Sequence, residues 1–337
     1  MLKVLEHIPA GLLSAAPAEL ATLLGGPTLI HLPGRRTPAL FTSVLLHGNE
    51  DVGLLAVQQL LARYRERELP RALSIFIGNV AAARHGLRRL DAQPDYNRVW
   101  PGGVTRESPE RQMMSEIVDN MRDRGVFASI DLHNNTGLNP HYGCVNRLDP
   151  SFLHLATLFS RTVVYFTEPP GVQSRAFADL CPAVTIECGK PGSPGSDTHA
   201  AEFLEAALHL SEFPQHPVAA HDIDLYHTVA TVKVPDNIDF SFGPGPAALQ
   251  FEPDLDHLNF RELAAGTRFA RILSKASAPL HIPDASGGNR WQEFFTLADG
   301  NLVLRRPLMP SMLTLDQRII RQDCLCYLME RLPMPGI

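Results

Sequence analysis

No apolar run in this chain approaches the roughly 18 residues that a membrane helix requires, which excludes a transmembrane helix. The N-terminus lacks a signal-peptide layout, because Lys3 is followed by Glu6, His7 and Pro9 and not by an unbroken apolar stretch. Positive charge is scarce too. Thirty Lys and Arg face thirty-six Asp and Glu, a formal net charge of −6, and the densest basic stretches, Arg84 to Arg89 and Arg305-Arg306, are short. Nucleic acid and anionic membrane surfaces are therefore not expected partners. Cysteine is sparse, with five scattered residues (Cys144, Cys181, Cys188, Cys324, Cys326) in 337. An odd number in a chain too large to need staples reads as reduced thiols and a cytoplasmic protein. Cys324-Leu325-Cys326 lies in a helical pattern without a second Cys pair, and is read as structural.

What is present is an ordinary globular composition, 45% hydrophobic and 20% charged, long enough for two domains. From 39 to 213, apolar runs alternate with amphipathic segments. Strands are expected at Ala39 to Leu46, Ala72 to Ile77, Val126 to Leu132 and Pro182 to Ile186, with Thr162 to Thr167 extended. Helices are expected at Asp51 to Arg65, from Ser108-Pro109 to about Arg124, at Pro150 to Ser160, and from Ser196-Asp197 to near Glu212. A long loop rich in Asn, Gly and Pro follows Leu132. This order implies an α/β fold with a mixed, largely parallel central sheet flanked by helices.

At Phe213-Pro214-Gln215-His216-Pro217 the texture changes to short extended stretches, Leu225 to Val234 and Val303 to Leu308 among them. Gly243-Pro244-Gly245-Pro246 and Asp284-Ala285-Ser286-Gly287-Gly288 break them. The expectation is an α/β domain over 1–213 and a smaller, mostly-β domain over 218–337 that closes the active-site cleft, with a C-terminal helix at Leu315 to Leu332.

Four polar clusters stand where apolar strands stop: His47-Gly48-Asn49-Glu50, Asp95-Tyr96-Asn97-Arg98, Asp131-Leu132-His133 and Ile186-Glu187-Cys188-Gly189. Ligand sites of open α/β sheets gather beyond the carboxyl ends of strands, so the four can share one crevice. Catalytic zinc takes three protein ligands, often His2Glu, and leaves a position for water. His47 and Glu50 on one tight loop, with His133 from a neighbouring strand, meet that stoichiometry. Fourteen histidines make H-x-x-E a common pair. The competing reading makes His47 a strand-end residue and Glu50 a carboxylate welcomed by a helix N-terminus.

The order H-x-x-E, N-R, H, E, each at a strand end, resembles the zinc carboxypeptidase superfamily, and most of all its succinylglutamate desuccinylase and aspartoacylase branch. H-G-N-E and D-Y-N-R with a preceding Arg carry the likeness, which runs from about Val44 to Gly189. Leu258-Asn259-Phe260 with Gly266 extends it into the second half.

The resemblance implies one Zn2+ per chain held by His47, Glu50 and His133, with Glu187 as general base. It implies that Arg98, helped by Asn97, clamps a substrate carboxylate, and that Asp95 accepts the other ring proton of a zinc-bound His. An upstream Arg would polarise the scissile carbonyl, Arg89 being preferred to Arg88. A further substrate-binding Arg before Glu187 would be Arg175. Together these imply a linear amidohydrolase removing the acyl group from a small N-acyl amino acid bearing carboxylates. The alternatives are a zinc carboxypeptidase acting on peptide C-termini, and a catalytically silent binding relative. A small-molecule substrate is the expected partner, and homo-oligomerisation stays open.

Overall fold

The computed structural model describes residues 2–273, 278–284 and 286–333. Ala285, within the expected glycine-rich break, and the last four residues of the expected second domain lie outside the described residues. The chain divides into two units, one running to Asn134 and resuming over His141–Leu225, the other holding Asn135–Pro140 and everything from Tyr226 onward. Sequence texture alone put the division at 213–218.

The first unit is built on eight strands: β1 (Lys3–Leu5), β2 (Thr28–Leu32), β3 (Ala39–Val44), β4 (Leu73–Ile77), β5 (Val126–His133), β6 (His141–Val145), β7 (Thr162–Tyr165) and β8 (Ala183–Cys188). Their order is β1-β2-β4-β3-β5-β8-β6-β7. All pairings are parallel except β2 with β4 and β6 with β8. The central strands are covered on both faces, so β2, β4 and β8 are buried at every residue, the mark of a sheet sandwiched between helices. Those helices are α1 (Leu20–Leu24), α2 (Val52–Arg63), α3 (Val80–Ala83), α4 (Pro109–Arg124), α5 (Pro150–Thr157), α6 (Gln173–Phe177) and α7 (Ser196–His209).

Local chemistry sets their ends. Ser108 caps α4, its Oγ accepting from the Arg111 amide at 3.2 Å, and Pro109 occupies the first turn where no amide partner is needed. Ser196 and Asp197, where α7 was expected to begin, are its first two residues. Gly195, at φ 78°, is the N-cap. The loop after Leu132 conceals β6, whose five residues lie between turn-forming stretches.

In the second unit β9 (Asp224–Val232) pairs antiparallel with β16 (Cys326–Arg331), and β16 with β15 (Met309–Ser311). A separate sheet is ordered β10-β11-β12-β14-β13, made of β10 (Phe240–Phe242), β11 (Leu249–Phe251), β12 (Arg268–Ile272), β13 (Phe295–Ala298) and β14 (Asn301–Leu304). Two short helices, α8 (Trp291–Phe294) and α9 (Gln317–Gln322), complete it. Phe251, Phe269, Phe294 and Phe295 lie in its core. The long helix expected over Leu315 to Leu332 is corrected. α9 stops at Gln322, and Cys326, Leu328 and Met329 are buried in β16. An extended segment flanked on both sides by strands gains cross-strand packing that a helix there would forgo. Cys326 consequently lies on a strand and not on a helix. Among the described residues, no helix is long and apolar enough to cross a membrane.

Candidate metal centre

β3, β5 and β8 lie side by side and parallel, so their carboxyl ends open at one edge of the sheet. β3 ends at Val44, and Leu45 turns the chain with φ 54°. The following loop carries His47 and Glu50 into α2. Gly48 is required here by crowding rather than by turn freedom, since a Cβ would lie 2.2 Å from the Ala83 amide nitrogen on α3. Its own N–H donates to the Arg88 carbonyl at 3.1 Å. Asn134, just after β5, joins three loops: its Oδ1 accepts the Val52 amide at the start of α2 (3.0 Å), and its Nδ2 donates to the Gly189 carbonyl (3.0 Å).

His47, Glu50 and His133 are buried and form the single cluster among the described residues with metal-ligand chemistry, their candidate donor atoms within 4.8 Å of one another. Glu50 lies between the imidazoles, Oε1 at 2.8 Å from His47 Nδ1 and Oε2 at 2.7 Å from His133 Nδ1. Each outward ring nitrogen meets its own carboxylate. His47 Nε2 is 3.1 Å from Asp95 Oδ1, and His133 Nε2 is 2.7 Å from Asp131 Oδ2. With Nε2 donating to its carboxylate, each neutral ring would turn its Nδ1 lone pair inward, the orientation a metal needs. His47 Nδ1 makes no hydrogen bond despite its short distance to Glu50. A buried nitrogen aimed into a cluster without a well-directed hydrogen bond fits a metal ligand, and two imidazoles with one carboxylate suit zinc.

Electrostatics agree. Burial pushes the Glu50 carboxyl up, yet the His47 and His133 rings hold it well below the usual carboxylate range. Burial lowers His133, but Asp131 and then Glu50 outweigh it and keep the ring's pKa well above its ordinary value. Asp95 is held low against burial, first by Arg88 and then by His47. So much negative charge around two imidazoles is a vessel for protons or for a cation.

Glu187, also buried, stands on β8 in direct register with His133 on β5, and registered neighbours point to the same face of a sheet. Its neighbour Cys188 has its thiol pushed up by burial and then by the charges of Glu187 and Glu50, so both carboxylates lie close to that end of β8.

The upstream Arg at the cluster is Arg88, which corrects the preference for Arg89. Arg88 is 7% exposed, donates from Nη2 to Asp95 Oδ2 at 3.0 Å, and places Nη1 3.5 Å from Glu50 Oε1. Arg89 points the other way and donates to the carbonyls of Leu90, Asp91 and Gln93, closing its own loop. The Gly48–Arg88 backbone bond decides which of the two faces the cluster.

Asn97, expected at the substrate, has both ends of its amide engaged within the protein. Nδ2 donates to Asp131 Oδ2 (3.2 Å), and Oδ1 accepts the Gln173 amide (2.9 Å). Arg98 is half-buried, donates to the Asn97 carbonyl at 2.9 Å, and contributes to keeping Asp95 ionised. Arg175 is not brought to the cluster. It sits on α6, donates to the Thr167 carbonyl, and lines a separate cavity. Asp131 was missed from the sequence. It is fully buried, and its Oδ1 accepts from Ser43 Oγ at 2.6 Å. The signal was D-x-H on a strand, since residues two apart share a face.

The succinylglutamate desuccinylase/aspartoacylase catalytic domain, as a family sequence model, matches residues 37–213. Among solved structures, succinylglutamate desuccinylase from Vibrio parahaemolyticus is similar at 14% identity, over 89% of this chain and 84% of its own, with a TM-score of 0.58. A succinylglutamate desuccinylase/aspartoacylase from Rhodobacter sphaeroides shares 15% identity over 90% and 88%, with a TM-score of 0.61. Murine aminoacylase 3 shares 14% over 88% and 97%, with a TM-score of 0.57. No curated protein matches by sequence. At these identities the structures speak for the fold.

Proposed function

Because this chain belongs to the succinylglutamate desuccinylase/aspartoacylase family, we propose that it hydrolyses the amide bond of a small N-acyl amino acid with one zinc ion per chain. The observation that carries this reading is the convergence of His47 Nδ1, the Glu50 carboxylate and His133 Nδ1, each imidazole backed by its own carboxylate. These three groups would hold the ion. When bound, zinc would supply a Lewis acid that polarises the scissile carbonyl and lowers the pKa of water toward about 7.

The remaining work falls to the chain. The Glu187 carboxylate accepts a proton from the attacking water and passes it to the leaving amine nitrogen, so one group serves as base and then acid. Asp131 and Asp95 hold the rings, and Asn97 holds Asp131. Arg88 keeps Asp95 charged and, of the two candidate arginines, is retained as the cation beside the reacting carbonyl. Arg98 binds a substrate carboxylate, for which its planar fork is suited. Cytoplasmic residence, read from the sparse and odd number of cysteines, belongs to this proposal as well.

The test is turnover of a panel of N-acetyl, N-succinyl and N-formyl amino acids beside C-terminal dipeptides. Hydrolysis of at least one N-acyl amino acid, abolished by a chelator and restored by zinc, is expected. Cleavage confined to the dipeptides would contradict the deacylase reading.

A further inference from the structure

Arg175 is, with Arg89, an arginine singled out in the sequence that the metal centre does not use. In the first unit it lines a cavity of about 500 Å³ together with Arg122 on α4 and Arg147 after β6. That volume lies within the range of small-molecule sites. Three arginines line the space, and Asp179 is the single carboxylate among its lining residues.

None of the three is firmly held. Arg147 pairs with Asp179, whose side chain is 81% exposed, and Arg122 pairs with Asp119, 64% exposed. Exposed pairs of this kind contribute little, and a ligand can displace them. Arg175 gives one donor to the Thr167 carbonyl, out of the five a guanidinium carries.

The inner wall, by contrast, is fixed. Asn146 donates to the Phe166 carbonyl (3.0 Å) and accepts from Ser174 Oγ (2.8 Å), and Ser174 Oγ in turn accepts from Thr185 Oγ1 on β8 (3.0 Å). The Gln173 amide is anchored on Asn97. Arg175 is therefore presented from a helix pinned at two buried points, which lowers the ordering cost of binding.

The geometry points to a second ligand site, separate from the metal centre, in which Arg122, Arg147 and Arg175 bind a small dianion, a phosphate or a dicarboxylate, through bidentate forks. This goes beyond the proposed hydrolysis and does not depend on it, because its test reads binding and not turnover.

Isothermal titration of the full chain with inorganic phosphate, and separately with succinate, tests the site. At least one of the two should saturate at one site per chain, and the tighter of them identifies the ligand chemistry. That affinity should persist in His133→Ala, which dismantles the metal centre. It should fall about tenfold or more in Arg147→Ala and in Arg175→Ala, the scale of a lost charge-assisted contact. Asp179→Asn, which removes the competing carboxylate, should tighten binding, an effect that a merely structural role for Asp179 would not produce. Failure of both anions to bind, uptake indifferent to both alanine changes (an adventitious ion only), or loss of binding in His133→Ala would each overturn the proposal.

Discussion

Asp131 and His133 project from the same face of β5, and the Asp131 Oδ2 to His133 Nε2 distance is 2.7 Å in a site where Asp131 is wholly buried. With Ser43 and Asn97 satisfying the rest of that carboxylate, its charge is committed to one imidazole. Asp131→Asn preserves shape and removes the charge. Zinc affinity, measured by competition with a chromophoric chelator, should weaken about 10- to 100-fold, while the folded state persists by circular dichroism. Unchanged affinity would mean that Asp131 serves only the fold.

Glu50 and Glu187 are both buried carboxylates, yet the account gives them different tasks. Glu50→Gln should lower zinc occupancy, with activity partly restored by excess zinc. Glu187→Gln should keep its zinc and lose about 10²–10⁴-fold in kcat, with no rescue by added metal. Metal analysis of the two purified variants separates these outcomes, and a metal-free Glu187→Gln protein would make Glu187 a ligand.

Arg88 and Arg89 are adjacent in sequence and opposite in role. Arg88→Ala strips a buried cation from Asp95 and Glu50, a loss on the order of 3–5 kcal/mol for a broken buried pair, and zinc binding should relieve part of that loss. Arg89→Ala removes hydrogen bonds to its own loop and should cost about 1 kcal/mol or less. Urea denaturation of both variants checks the contrast. Equal losses would contradict the placement of Arg88.

Gly48 sets how closely the ligand loop approaches α3. Gly48→Ala forces a Cβ to within 2.2 Å of backbone, so the loop must shift. A loss of about 1–3 kcal/mol is expected, with a lower Tm and weaker zinc binding together. A variant with wild-type Tm would show that the loop has more room.

Much of this was legible because its signals are local. The Ser108-Pro109 start of α4, the buried runs of β3, β4, β5 and β8, and the polar residues at their ends need only neighbours in sequence to be read. What escaped depends on distant partners. Cys326 to Arg331 has helix-compatible spacing, and only β9 and β15 on either side make it a strand. Arg88 and Arg89 are chemically alike, and one backbone bond from Gly48 chooses between them. Arg175 fits a family expectation by type and position, yet α6 turns it toward Arg122 and Arg147. Asn97 reads as a substrate contact until the Gln173 amide and Asp131 are seen to occupy it.

The most direct test of the central claim is the hydrolysis rate of chelator-stripped protein titrated with zinc, using the best N-acyl amino acid of the panel. The account predicts negligible activity without metal, a linear rise to a plateau at one zinc per chain, and no such rise in His133→Ala. Full activity in protein shown to be metal-free, or an undiminished plateau in His133→Ala, would contradict the assignment of His47, Glu50 and His133 as the metal centre.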